Sequence, residues 1–92
     1  MSVAFNVGDL VVTTKTLRVR RDGLCMSDSA YQAWGINDTT AFDGQFLDEQ
    51  QPCVVLDEFL NDSLIVLGAR LSRTLIVKKE NLKMLVLFSN LL

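Results

Sequence analysis

The chain has 92 residues, 49% of them hydrophobic, and a formal net charge of −2, and its length predicts a single domain spanning residues 1–92. It contains no histidine, and its two cysteines, Cys25 and Cys53, form no CxxC pair, which excludes histidine-based catalysis and the common zinc sites. No apolar run approaches the ~20 residues that cross a bilayer, and the first ten residues lack the basic start of a secretory signal, so we expect a cytoplasmic protein with reduced, buried thiols.

The first third of the chain predicts three strands. Residues 10–14 are apolar and β-branched and therefore predict a strand. Residues 17–26 alternate apolar and polar side chains on both sides of an Asp-Gly pair at residues 22–23, which is typical of a tight hairpin turn. Because alternate residues of a strand share a face, we expect Arg18 and Arg20 to lie together on the exposed face of this hairpin.

Residues 27–51 are predicted to form one long irregular loop, because glycine, asparagine and aspartate interrupt the apolar runs. A short helical turn within residues 27–35 is the regular element that this stretch favours. Long connections in small domains are usually functional. The loop also holds most of the aromatic side chains of the chain: Tyr31, Trp34, Phe42 and Phe46.

The C-terminal half predicts the main sheet. Three dense apolar runs predict strands at residues 53–59, 64–67 and 74–77. A polar one-turn segment, residues 78–81, leads into a last strand at residues 83–88, and a tail of residues 89–92 follows.

The last strand is predicted to lie at a sheet edge and to have an apolar outer side. The alternation that turns Met84 toward the core turns Leu85 and Leu87 outward. Leu91 and Leu92 add further apolar surface in the tail. Exposed apolar edges favour pairing with another strand, so we predict a homo-oligomer or docking edge formed by Leu85, Leu87, Leu91 and Leu92.

This order of elements resembles the SH3-like small β-barrel in its KOW-type form. The features that carry the resemblance are FNVGDLVV at residues 5–12, CVVLDEFLNDSLIVL at 53–67, RTLIV at 73–77, KKEN at 78–81 and LKMLV at 82–86. The resemblance implies an all-β fold: a small SH3-like barrel of about five strands with one long irregular loop and a short helical turn before the last strand. Barrels of this class serve as docking modules, nucleic-acid binders and adaptor subunits, and the class does not choose among these.

The charges are segregated along the chain. Residues 22–69 hold nine acidic side chains and no basic one, whereas residues 1–21 carry a net charge of +3 and residues 70–92 a net charge of +4. The first and last strands of a barrel usually lie side by side, so the basic ends are expected to merge into one face and the acidic middle to form another. The alternative interpretation is two solvated surfaces that keep an apolar protein soluble.

The sequence predicts no catalytic machinery. Asp57 and Glu58 are neighbours on a strand and point to opposite faces, so they form no shared acid–base pair. No glycine-rich phosphate loop is present, and Cys25 has no histidine to activate it. The aspartates within residues 38–48 lack the spacing of a calcium loop. We therefore predict a non-enzymatic protein without catalytic, cofactor-binding or metal-binding residues.

The predicted function is that of a protein-binding module, an adaptor or inhibitor that docks through the acidic, aromatic-bearing loop and the apolar C-terminal edge. Large aromatic side chains beside carboxylates are typical of interfaces, and the acidic stretch favours a basic partner. The predicted contact residues are Tyr31, Trp34, Asp38, Phe42 and Asp43. In an alternative arrangement, Trp34 and Phe46 fold back and cap the open end of the barrel.

A nucleic-acid-binding regulator is the alternative function. Basic side chains from the N- and C-terminal strands would neutralise phosphates on one shared face. The residues of this predicted basic face are Lys15, Arg18, Arg20, Arg21, Arg70, Arg73, Lys78 and Lys79. Charge reversal separates the two functions, because reversing Arg18, Arg20 and Arg21 would abolish nucleic-acid binding and spare protein binding.

Overall fold

The computed structural model of the chain describes residues 4–33 and 42–85, and of residues 42 and 43 the backbone alone. The described residues form mostly strands, which confirms the predicted all-β class. In chain order the elements are β1 (Leu10–Thr13), β2 (Leu17–Arg20), β3 (Cys25–Ser27), α1 (Asp28–Ala33), β4 (Phe42–Leu47), β5 (Pro52–Phe59), β6 (Ser63–Gly68), β7 (Thr74–Lys78), a 3-10 turn (Lys79–Asn81) and β8 (Leu82–Met84). Neither helical segment in these residues has the length and apolar character needed to span a membrane.

The strands form two antiparallel sheets. The larger sheet has the order β7-β6-β5-β1-β8, and the smaller sheet has the order β3-β2-β4. β1 pairs with β8, with Val12 opposite Lys83, so the predicted contact between the first and last strands is confirmed. Within the described ranges the ladders leave the larger sheet open instead of closing it into a barrel. An isolated bridge between Leu24 and Ile76 links the β7 edge of this sheet to the turn between β2 and β3.

One apolar core is packed from both sheets. Its members each expose 6% of their surface or less: Val11, Leu17, Val19, Cys25, Leu47, Cys53, Val55, Leu64, Val66, Leu75, Val77 and Leu82. Most of them occupy alternate positions along their strands, as the two-residue repeat of a strand requires. Both cysteines are buried members of this core.

Thr13 joins the two sheets at the end of β1. Its hydroxyl donates a hydrogen bond to the backbone carbonyl of Asp48 at 2.6 Å and accepts one from the N–H of Gln51 at 2.9 Å. Its backbone N–H also donates to the Gln51 carbonyl, and its carbonyl accepts from the N–H of Gln50. These bonds join β1 to the connection between β4 and β5. Thr13 therefore fixes the position of the segment that links the smaller sheet to the larger one.

Two regular elements occupy the stretch 27–51, where the sequence predicts an irregular loop. The favoured helical turn is present as α1, and the Ser27 hydroxyl caps it by accepting a hydrogen bond from the Ala30 N–H at 3.2 Å. β4 is a strand that the sequence does not predict. Its ladder with β2 shifts register, since Val19 lies opposite Gln45 while the next residue of β2 lies opposite Phe42. The Asp-Gly pair between these two positions, which is typical of a turn, therefore forms a bulge inside a strand.

The predicted strands of the C-terminal half are confirmed as β5, β6 and β7, and the predicted one-turn segment is the 3-10 turn before β8. β5 bends at Leu56, where its register with β6 shifts between Val55 and Asp57. β8 is described to Met84. The remainder of the predicted last strand and the tail of residues 89–92 lie outside the described residues.

Candidate functional site

The candidate site lies on the exposed face of the smaller sheet. The alternation of β2 sends two apolar side chains into the core and turns Arg18 and Arg20 toward the other face. In the ladders, Arg18 lies opposite Met26 of β3 and opposite Phe46 of β4. Arg18 therefore occupies the middle strand of this face, between side chains from both neighbours.

Arg18 is the centre of a group that we call the Arg18 cluster: Arg18, Asp28, Tyr31 and Phe46. Its guanidinium carbon lies 5.0 Å from the centroid of the Tyr31 ring and 5.8 Å from that of the Phe46 ring. Its Nε donates a hydrogen bond to Oδ1 of Asp28 at 2.7 Å. A cation over an aromatic ring contributes about 0.5–1 kcal/mol at exposed sites, and an exposed ion pair contributes about 1 kcal/mol or less. Together these contacts restrict the orientation of the guanidinium.

The two rings of the Arg18 cluster differ in exposure. Tyr31, on α1, exposes 8% of its surface, whereas Phe46, on β4, exposes 46%. Tyr31, which the sequence predicts as a contact residue, is thus buried and lies beneath Arg18. Phe46, which the sequence assigns to the irregular loop, is the aromatic side chain that this face presents to solvent.

The other predicted contact residues fall at or beyond the limits of the described structure. Trp34 and Asp38 lie outside the described residues. The backbones of Phe42 and Asp43 belong to β4, and Phe42 lies opposite Arg20 of β2. The structure therefore brings together Tyr31 and Phe46 through Arg18, a contact that the sequence does not predict. The alternation in β2 signals that Arg18 is exposed, but its pairing with β4 has no local signal.

Several cations of the predicted basic face are each paired with a carboxylate. Arg18 contacts Asp28, Nη2 of Arg20 lies 3.3 Å from Oδ2 of Asp22, and Nζ of Lys79 lies 2.7 Å from Oε2 of Glu58. Neighbouring opposite charges lower the local positive potential that a phosphate backbone would meet.

Arg73 from the same predicted face is directed toward protein acceptors. Its Nη1 donates to Oε1 of Gln45 at 3.2 Å, and its Nη2 donates to the backbone carbonyl of Arg21 at 3.0 Å. These contacts tie the segment before β7 to the smaller sheet. Arg73 therefore helps to hold β4, and with it Phe46, in place.

The predicted oligomer edge is described only at its start. Among the described residues β8 is the edge strand of the larger sheet, as predicted. The predicted orientation is wrong, since Met84, expected to face the core, is exposed and Leu85, expected to face outward, is half-buried. The half-buried Leu85 donates its N–H to the carbonyl of Leu10 at 3.0 Å, so this donor is directed at β1 and away from a further strand. Leu87, Leu91 and Leu92 lie outside the described residues.

The thiols are poorly suited to nucleophilic chemistry. Cys25 and Cys53 are both buried, and burial raises the pKa of the Cys53 thiol to about 11. A thiol with this pKa is protonated at neutral pH, and the thiolate is the reactive form. Cys53 therefore acts as a small apolar core residue.

Taken as a surface, the Arg18 cluster offers an exposed aromatic ring, an ordered cation and a carboxylate, carried by two strands and a helix. Aromatic and arginine side chains of this kind are enriched in the centres of protein interfaces. Comparison with known proteins adds no family: no protein-family model matches the chain, and no curated protein and no solved structure matches it either.

Proposed function

We propose that this chain is a non-enzymatic protein-binding module, an adaptor or inhibitor, that contacts its partner through the exposed face of the smaller sheet. The observation that carries the proposal is the pair of Arg18 and Phe46: Phe46 remains about half exposed while the guanidinium beside it is already ordered by Tyr31 and Asp28. A partner that covers Phe46 meets a rigid aromatic anchor and a fixed cation, at a low cost in side-chain entropy.

The segment 34–41 belongs to the same proposed contact surface because of its position in the chain. It connects α1 to β4, and both elements contribute a ring to the Arg18 cluster. Trp34 and Asp38 are the residues of this segment that we propose to contact the partner, together with Phe42 and Asp43. The acidic side chains would draw a basic partner toward the surface and raise its association rate.

The order of strands supports the proposal of an SH3-like domain over residues 1–92. The larger sheet has the strand order β7-β6-β5-β1-β8, and a 3-10 turn directly precedes β8. This is the element order expected of an SH3-like barrel. β2, β3, α1 and β4 would then form one large excursion between the first two strands of that fold, and the Arg18 cluster lies in this excursion. Insertions on a rigid β-scaffold commonly carry function.

A pull-down from the source cell's lysate tests the proposal. The wild type is compared with Phe46→Ala and Arg18→Ala, and with Leu56→Ala as a control of similar exposure on the larger sheet. We expect the wild type and the control to capture the same stoichiometric protein after nuclease treatment, and the two site variants to lose about tenfold or more in affinity. Equal capture by Phe46→Ala would contradict the proposed surface.

The alternative function, nucleic-acid binding, is favoured by one observation. An exposed ring on a sheet beside Arg18 and Arg20 is an arrangement on which single-stranded bases stack. The carboxylates of Asp28 and Asp22 beside these cations weigh against it. In the same pull-down, recovery of nucleic acid that is lost in high salt and lost on reversing Arg18, Arg20 and Arg21 would replace the first proposal by this one.

A further inference from the structure

The tip of the hairpin between β5 and β6 carries an apolar side chain that does not pack into the core. Leu60 exposes 73% of its surface, and its φ angle of +58° lies in the left-handed region. This region is unfavourable for leucine and suits glycine or asparagine. Leu60 therefore contributes little to the core and fits the turn poorly. Residues held in disfavoured backbone conformations cluster at ligand-binding and other functional sites, so the conformation of Leu60 makes it a candidate contact residue.

Acidic residues surround this tip. Asp57, Glu58 and Asp62 are exposed next to it, and Lys79 is paired with Glu58. The neighbouring ring of Phe59 is also partly exposed. The tip is thus an apolar projection with acidic surroundings, and it fits an apolar recess that has a cation at its rim.

A recess of this kind lies on the outer face of the larger sheet. It has a volume of about 110 Å³ and is lined by Leu10, Pro52, Cys53, Val54, Leu67 and Ala69. The ladder register explains it, since Val54 lies opposite Leu10 on one side and opposite Leu67 on the other. This volume is somewhat smaller than the volume of about 150 Å³ measured for a cavity left by the removal of one buried leucine side chain. Arg70 is exposed and directly follows Ala69 of the lining in the chain, so it is the basic residue that the sequence places next to the recess.

The tip cannot reach the recess of its own molecule. Both belong to the β5–β6 hairpin, with Leu60 at the turn and Val54 near the opposite end. At about 3.3 Å per residue along a strand, the two positions are about 20 Å apart. A contact between them therefore requires two molecules.

We propose that the chain self-associates head to tail, with Leu60 of one copy inserted into the outer recess of a second copy. Asp57 and Asp62 of the first copy would lie against Arg70 of the second, which supplies the charge complementarity of the contact. The contact joins two different surfaces, so each added copy leaves one tip and one recess open. The inference is independent of the partner surface at the Arg18 cluster.

Sedimentation velocity on the purified chain tests the contact over concentrations from about ten micromolar to about one millimolar. We expect the wild type to form dimers and then longer species as its concentration rises. Leu60→Asn and Leu67→Glu should each weaken association at least tenfold, and circular dichroism should show both variants folded. Leu56→Glu is the control for adding a charge to an exposed apolar position outside the tip and the recess.

Mixing the two variants separates this contact from other modes of assembly. Leu60→Asn retains an intact recess, and Leu67→Glu retains an intact tip, so the mixture should form a one-to-one dimer and nothing larger. Monomeric wild type at the highest concentration, or a mixture without the dimer, would overturn the proposal. Association that survives Leu60→Asn and is lost on removal of residues 86–92 would also overturn it, in favour of an interface at the C-terminal edge.

Discussion

Thr13 and Gln51 are joined by two hydrogen bonds: the Gln51 N–H donates to the Thr13 hydroxyl at 2.9 Å, and the Thr13 N–H donates to the Gln51 carbonyl at 3.2 Å. Thr13 is fully buried. The same hydroxyl donates to the carbonyl of Asp48, so one side chain fixes the passage from β4 to β5.

Replacing Thr13 by valine should therefore destabilise the protein by about 1–2 kcal/mol, because the near-isosteric side chain leaves the part-buried N–H of Gln51 and carbonyl of Asp48 without their partner. The measurement is the free energy of unfolding in urea. Thr16→Val is the matched control: its exposed hydroxyl accepts a longer bond of 3.3 Å from the Glu49 N–H, and we expect a loss within about 0.5 kcal/mol. Equal losses of unfolding free energy in the two variants would show that the hydrogen bonds of the Thr13 hydroxyl stabilise the fold no more than that of the exposed Thr16 hydroxyl.

The contacts of Arg18 predict an energetic coupling between Arg18 and Phe46. In a double-mutant cycle with Arg18→Ala and Phe46→Ala, we expect a coupling of about 0.5–1 kcal/mol in the free energy of unfolding, the size of an exposed cation–π contact. Met84 on β8 supplies the control, since it lies on the other sheet and Met84→Ala should be additive with Arg18→Ala. A coupling near zero for the first pair would mean that the ring does not order the guanidinium.

The raised pKa of Cys53 predicts a loss of stability at alkaline pH. The thiol ionises near its ordinary pKa of 9.0 in the unfolded chain and near a pKa of about 11 in the folded protein. Its contribution is therefore complete below about pH 9 and is lost as the pH rises through about 11, since ionisation favours the unfolded state. Unfolding free energies of the wild type should fall more steeply over this interval than those of Cys53→Ala, which shares every other titrating group. Parallel profiles would contradict the prediction.

The backbone conformation at Leu60 predicts a substitution that stabilises the protein. Leu60→Asn should raise the free energy of unfolding by about 0.5–1 kcal/mol, because asparagine tolerates the left-handed region and little apolar burial is lost. Leu64→Asn, a few residues away in the core, should instead cost more than about 3 kcal/mol. The measurement is the melting temperature of each variant compared with that of the wild type. A lower melting temperature for Leu60→Asn would show that Leu60 does support the fold.

Local patterns were enough to predict much of the larger sheet. The apolar runs of β5, β6 and β7 end at polar residues, and the 3-10 turn follows as a short polar segment, so each element carries its own signal. β4 has no such signal, because its Asp-Gly pair favours a turn and only the ladder with β2 makes it a strand. The Arg18 cluster depends on that ladder and on α1. For this reason the sequence places Phe46 in a loop and predicts Tyr31 as a contact residue, whereas Tyr31 is buried beneath Arg18.

β1 lies between β5 and β8 in the larger sheet, which affects the order in which the protein can fold. β5, β6 and β7 pair with their immediate neighbours in sequence, whereas both partners of β1 lie far along the chain. Contacts that close long loops form late, because their entropy cost comes before any stabilising contact. During synthesis β1 is therefore made before either of its partners: one of its edges stays unpaired until β5 has been made and the other until β8 has been made, and unpaired strand edges of this kind make a newly made chain prone to aggregate.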